Sequence, residues 1–261
     1  MDLPLGLMLN SIDVFLLVFV RISGLFVIAP IFGIRNVPTY FKIGFSFMLS
    51  LILINVIKMP NLDYYNNFYL YTLLVFKEFI VGITIGYVSY LVFNAIYLAG
   101  QLIDMQIGFS MVSVMDPLSN IQIPITANLY FIMCMLIFLM ANGHHALIRA
   151  LFESFTIIPP GSAIFGISLM NDILRVFGDI FLLAFKISAP IIAAILATDV
   201  ALGVISRAVP QVNVFVLGMP LKIIIGLVVV IITLPVFGSL IRGMIESMNA
   251  EMFNFMKSMA K

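Results

Sequence analysis

The sequence predicts an all-α membrane protein of long broken helices and helical hairpins, and three observations lead there. Hydrophobic residues fill 63% of the 261 positions and charged residues only 10%, against roughly 45–50% and about 25% in soluble domains. A soluble fold of this size cannot enclose so much apolar surface, so a bilayer or an oligomer must cover the rest. The apolar residues also come in runs of the length that crosses a membrane as a helix. Finally, small residues recur four apart, at Gly82 and Gly86, at Ser46 and Ser50, and at Ala193, Ala197 and Ala201. That spacing lets helix backbones approach closely in an apolar medium.

The first run covers residues 12–34. The chain opens Met1-Asp2-Leu3-Pro4 with no basic stretch ahead of this run, so it reads as a retained helix and not a cleaved signal. The turn signal Asn36-Val37-Pro38 separates it from a shorter run, 43–57, which ends in the polar and aromatic loop 58–67. Tyr64, Tyr65 and Tyr69 suit the membrane–water boundary, where an aromatic ring with a polar tip is well placed. The third run, 70–102, carries only Lys77 and Glu78 as charges. A non-helical stretch follows at 108–124, and the fourth helix, 125–140, closes at the stop signal Asn142-Gly143. After the break at Pro159-Pro160-Gly161, the pattern predicts helices at 169–187, 191–208 and 216–241. The last stretch, 239–259, sets Ile241, Met244, Ile245, Met248, Met252, Phe255, Met256 and Met259 at i, i+3, i+4 spacing. Arg242, Glu246, Glu251 and Lys257 lie off that stripe or at its edge, which makes the helix amphipathic.

Arg21, Lys77, Glu78, Lys186, Asp199, Arg207 and Lys222 lie inside or at the edge of apolar runs. A charge at the bilayer centre costs about 2.5–3.5 kcal/mol on the insertion scale. Two readings stand. Each charge either snorkels to a headgroup or pairs with a neighbour, or these residues face a protein interior or an aqueous passage. Their density in the C-terminal third favours the second reading there. Asp199 and Arg207 lie eight residues apart, roughly on one face but too far apart to pair, so partners are expected on other helices or subunits. Basic residues are spread evenly, and the positive-inside rule assigns no orientation.

The residues offer little chemistry. The formal charge of +1, without a basic stripe, argues against nucleic acid. Cys134 is the only cysteine, which leaves no intrachain disulfide and no thiolate metal site. His144 and His145 are adjacent, so on a helix they point about 100° apart and cannot hold one metal together. Ser110 and Ser113 lie near Asp116, but no histidine neighbours them, and no phosphate-binding glycine loop is present. Asp104 and Asp199 could relay protons, although a paired structural role is preferred. The loop 106–124 is unusually apolar for a broken stretch, with Phe109, Met111, Val112, Val114, Met115, Leu118, Ile121 and Ile123. It reads either as a re-entrant loop packed on its own helices or as a deformable plug, a use that suits soft thioether side chains.

Six groups of residues, in order along the chain, resemble the FliR family of flagellar protein-export subunits, related to the SctT/SpaR subunits of virulence type III secretion. They are Arg21-Ile-Ser-Gly24 with Pro30-Ile-Phe-Gly33 and Val37-Pro38; Gly100-Gln101-Leu-Ile-Asp104; Gly108-Phe109 with Asp116-Pro117; Asn142-Gly143-His144-His145; the long run from Leu202-Gly203 through Arg207, Pro210-Gln211, Asn213 and Phe215; and Gly218-Met-Pro220-Leu-Lys222. The resemblance implies a core subunit of the export gate, without catalysis or cofactor, in the bacterial inner membrane at the flagellar basal body. It implies assembly with similar helical subunits of FliP and FliQ type, and work beside FlhA- and FlhB-type components, into a channel for unfolded flagellar proteins. It also implies a FliP-like region at 1–185 and a FliQ-like hairpin with an amphipathic end at 186–261. The plug would lie within 106–124, with Phe109, Met111, Met115, Asp116 and Pro117. Arg21, Asp199, Arg207, Pro210, Gln211, Asn213, Phe215 and Lys222 would serve contacts between subunits or the hairpin turn. The turn is expected between Pro210 and Pro220. Three alternatives stand beside this: a virulence-type gate subunit, a small secondary transporter or channel with helices broken near Pro117 and Pro210, and a lipid-active enzyme using His144-His145.

Overall fold

The computed structural model describes residues 3–33, 37–57, 68–109, 124–211 and 213–260. Among them every regular element is an α-helix: α1 (Leu3–Ile28), α2 (Thr39–Ile54), α3 (Phe68–Ile107), α4 (Ile125–Met140), α5 (Gly143–Ile157), α6 (Ile167–Ala208) and α7 (Val214–Ala260). The first four match the apolar runs to within a turn or two, apart from α1, which starts earlier. The second half differs in two ways. The Asn142-Gly143 signal does end α4, with Asn142 at φ 55°, but a further helix, α5, begins at Gly143. It forms because Leu147, Ala150, Leu151, Ser154 and Phe155 fall at helical spacing and are all buried. Beyond it, α6 continues through Pro190 and α7 through Pro220 and Pro235, so the helices expected separately are two long ones. A proline inside a helix frees one carbonyl a turn back, which apolar helices tolerate where neighbours satisfy it again.

Helices α3, α6 and α7 hold 40, 42 and 47 residues, or about 60–70 Å each at 1.5 Å per residue. Three segments, Tyr69–Ile107, Ile167–Ala208 and Val216–Ala260, are long and apolar enough to cross a membrane, and α4 with α5 would make a fourth as one broken span. A hydrocarbon core is only about 30 Å thick. Each long helix therefore has roughly twice the length that crossing requires.

The chain packs as two compact units, each drawn from separated stretches. The first comprises Met1–Leu91, Asn142–Val176 and Ile245–Lys261. Within it, α1 meets α2 through Phe15 against Phe47 at 5.4 Å and Phe26 against Phe45 at 5.3 Å. Helix α2 is inverted: Ser46 and Ser50 are buried, while Phe47, Met48, Leu51 and Ile52 are exposed. The serine hydroxyls donate to the carbonyls of Lys42 and Phe47 in their own helix, so the small residues face inward without unmet polarity. Such a helix is built for an apolar exterior. Helices α1 and α3 touch backbone to backbone at Gly82, where a Cβ would lie 2.0 Å from the Arg21 carbonyl oxygen. Near the chain end, the Ile164 amide donates to the Met259 carbonyl at 2.9 Å. The stripe from Ile241 to Met259 is buried as its spacing predicts.

The second unit comprises Val92–Ala141 and Phe177–Met244. Here α3 and α4 also approach through their backbones, since a Cβ on Gly100 would lie 2.2 Å from the Ala127 Cα. Phe93 packs edge-on against Phe138 at 5.3 Å, and Tyr130 stacks on Phe237 of α7 at 4.2 Å.

Candidate functional site

Charges within apolar helices are the features that plain packing would not select, and three arrangements among the described residues hold several of them. The first lies in the core of the first unit. Arg21 of α1 and Glu78 of α3 are both fully buried, and Arg21 Nε donates to Glu78 Oε2 at 2.5 Å. Arg21 Nη1 also donates to the carbonyls of Ser154 and Ile158, both at 3.0 Å, and the guanidinium lies over the Phe155 ring at 4.3 Å. It thereby adds a second donor to the Ser154 carbonyl, which also accepts the Ile158 amide at 2.8 Å, serves the Ile158 carbonyl just past the helix, and places a cation at the negative end of α5. Glu78 Oε1 accepts the Gly161 amide at 2.7 Å. One buried ion pair thus fixes α1, α3, the end of α5 and the Pro159-Pro160-Gly161 turn. Reading each charge separately missed this joint. Its sequence signal was an arginine and a glutamate standing in the first and third apolar runs.

The second arrangement joins α3 to α4 in the second unit. Asp104, only 3% exposed, accepts the Thr126 amide at 2.9 Å on Oδ1 and the Ala127 amide at 3.2 Å on Oδ2. Its own carbonyl accepts the amides of Gly108 and Phe109, at 3.2 and 3.1 Å.

The third is the α6–α7 hairpin. Asp199 and Lys222 form an ion pair between its arms. Helix α6 ends at Ala208, Pro210 and Gln211 are exposed beyond it, and Asn213 starts α7 by accepting the Val216 amide on its backbone and side-chain oxygens, at 3.1 and 3.4 Å. Pro220 lies inside α7, so the chain reverses before it. The hairpin is thinly covered: the most apolar stretches of α6 and α7 are 28% and 17% buried, against 61% for α3. Phe181 and Phe185 on α6 and Ile231 and Ile232 on α7 are exposed, and Lys186 and Arg207 are exposed on the same apolar helix. Removing one charge of the Asp199–Lys222 pair leaves the other in apolar surroundings. Asp199→Leu or Lys222→Leu is therefore expected to lower the yield of folded chain in mild detergent several-fold, and the double substitution to restore it. A double mutant as poor as the singles would show that the pair has no such role.

The expected site residues separate accordingly. Asp199 and Lys222 come together, while Arg207, Pro210, Gln211 and Asn213 cluster at the hairpin turn. Phe215 stands in the first turn of α7. Arg21 is enclosed within the first unit, with its charge met by Glu78 of the same chain. Phe109 is half-buried just past α3, whereas Met111, Met115, Asp116 and Pro117 lie outside the described residues, as do Ser110 and Ser113. His144 and His145 occupy the first turn of α5 with ring centroids 4.2 Å apart. No group of three metal-ligating side chains exists among the described residues.

The chain is similar to known proteins over most of its length. The model of the family described as bacterial export proteins, family 1, matches residues 12–248. The flagellar biosynthetic protein FliR of Bacillus subtilis (strain 168) is 40% identical over 233 residues, covering 88% of this chain and 89% of that protein. The protein of the same name from Escherichia coli (strain K12) is 27% identical over 248 residues, 95% of this chain and 93% of that one. The secretion system apparatus protein SsaT of Salmonella typhimurium is 29% identical over 163 residues, 62% of this chain and 63% of its own.

Proposed function

The chain belongs to the bacterial export proteins, family 1, and from that membership we propose that it is a core subunit of the flagellar type III protein-export gate. It forms part of the channel through which unfolded flagellar proteins cross the inner membrane at the basal body. The observation that carries this reading beyond the family membership is the thinly covered hairpin, whose most apolar stretches are only 28% and 17% buried on helices of 42 and 47 residues. Helices of about 60–70 Å cannot lie wholly within a hydrocarbon core of about 30 Å unless steeply tilted. Apolar surface beyond the lipid needs protein against it, and similar helices of other subunits supply that cover.

The partners are subunits of FliP and FliQ type, with FlhA- and FlhB-type components alongside. Residues 1–185 take the place of a FliP-like subunit and 186–261 that of a FliQ-like hairpin, a division along the chain that cuts across both compact units. Residues 106–124 act as the plug, with Phe109, Met111, Met115, Asp116 and Pro117 as its gasket. Arg207, Pro210, Gln211, Asn213 and Phe215 hold the hairpin turn against neighbouring subunits, Asp199 and Lys222 join the arms, and Arg21 fixes the turn after α5. The subunit acts by packing and lining, with no chemistry of its own.

Extraction in mild detergent tests this. The chain should emerge in a stable hetero-oligomer with small helical partners, and an active monomer that transports a small solute would overturn the reading. Shortening residues 106–124 should make the reconstituted complex leak small ions, with conductance well above that of the intact gate. Unchanged conductance would remove the plug assignment alone. The match to SsaT favours a second reading, a virulence-type gate. Deletion of the gene separates the two, since loss of motility supports the flagellar gate and loss of effector secretion in a motile cell supports the other.

A further inference from the structure

Helix α4 begins without a cap of its own. The residue before it is Pro124, in extended backbone at φ −71° and ψ 103°, and no side chain there meets the first amides. The leading amides of a helix have no partner within it, and in a buried, apolar setting an unmet amide is costly. Thr126 and Ala127 are both buried, so water does not serve them. The Asp104 carboxylate does, with one oxygen on each amide. It arrives from a residue 22 positions earlier, on a helix held tightly against α4 where Gly100 meets Ala127. The same residue's carbonyl ends the preceding helix by accepting the amides of Gly108 and Phe109.

We propose that Asp104 is a positioning residue of the gate, whose carboxylate supplies the cap α4 lacks and so fixes together the end of α3 and the start of α4. A single residue, through its carbonyl and its carboxylate, then sets both points between which the chain leaves one helix and enters the next. A carboxylate is suited to this place for two reasons. It offers two acceptor oxygens, one for each amide, and its charge lies against the positive end of α4. Its functional consequence rests on the plug reading given above, because residues 106–124 begin and end at this junction. The capping itself does not depend on that reading.

The test uses the whole hetero-oligomer, purified with Asp104, Asp104→Asn or Asp104→Ala, with hydrogen exchange read at individual amides and ion conductance measured after reconstitution. Asp104→Ala should raise exchange at Thr126 and Ala127 at least tenfold while the middle of α3 keeps its protection. Asp104→Asn has nearly the same shape and retains one acceptor, so it should expose one of the two amides and spare the other; this variant decides the matter if the alanine protein does not assemble. Conductance should rise in the same order, alanine above asparagine. Unchanged exchange at both amides in the asparagine complex overturns the proposal. Raised exchange with unchanged conductance upholds the cap and removes the plug reading instead.

Discussion

Arg21→Ala is expected to destabilise the folded chain by about 3–5 kcal/mol, the range for breaking a buried pair by removing one partner. For a protein of ordinary stability that is a large part of the margin, and the visible result is failure to accumulate. The substitution strands the Glu78 carboxylate in a fully buried place, takes the side-chain donor from the Ile158 carbonyl and leaves the Ser154 carbonyl with the Ile158 amide alone. Glu78→Ala does the converse, leaving a guanidinium without its counter-charge and the Gly161 amide without an acceptor. The double change Arg21→Met with Glu78→Leu should recover much of the loss, because an apolar pair of similar volume avoids burying two charges. Thermal unfolding in mild detergent of the native chain, Arg21→Met, Glu78→Leu and the double variant closes the cycle. Equal losses in the single and double variants would show that the backbone contacts, and not the charge pairing, hold the joint.

Gly82→Ala is the second large effect. One added methyl meets the Arg21 carbonyl oxygen at 2.0 Å, its carbon at 2.9 Å and the Leu25 nitrogen at 3.1 Å. These are backbone atoms, so no side chain can swing aside and α1 as a whole must move. Overpacking of this kind costs about 1–3 kcal/mol, and more where the structure cannot shift. The sign reverses at Gly178 of α6, where an added Cβ meets nothing within 4 Å. There Gly178→Ala should stabilise the purified chain by about 0.8–1 kcal/mol through helix propensity alone. Melting of both variants in the same detergent checks the contrast. A tolerated Gly82→Ala would mean that the α1–α3 seam is looser than its geometry.

The helices were legible where apolar runs end at glycine, asparagine and proline. The amphipathic stripe from Ile241 to Met259 was legible residue by residue, because its period of 3.6 differs from its surroundings. Proline misled the reading of α6, since the rules for helix ends assume water beside the backbone, whereas Pro190 stands in an apolar helix that continues past it. The helix expected at 216–241 already ran through Pro220 and Pro235, and α7 only carries it on into the amphipathic stretch. The short α5 was hidden for the opposite reason: its start signal at Asn142-Gly143 also reads as an end. At the candidate site, the sequence identified charges out of place but not their pairing. Arg21 and Glu78 are 57 residues apart, and only the docking of α1 on α3 determines that they meet. Asp104 carried even less signal, because its partners are main-chain amides and any residue type can provide those.

The make-up of the first unit has a consequence for synthesis. Its parts come from the beginning, the middle and the last seventeen residues of the chain, Ile245–Lys261. The bond from Ile164 to Met259 joins a loop to a residue made much later in synthesis. Until Ile245–Lys261 is made, the nascent subunit holds the Met1–Leu91 segment with part of its seat vacant, and the buried places of Met248, Met252 and Met256 stand open. Growing chains of this kind rely on their insertion machinery or on chaperones for longer than chains that fold in sequence order. Loss of Ile245–Lys261 would therefore remove more than a surface segment, because it would leave the earlier-made parts of the same unit unfinished.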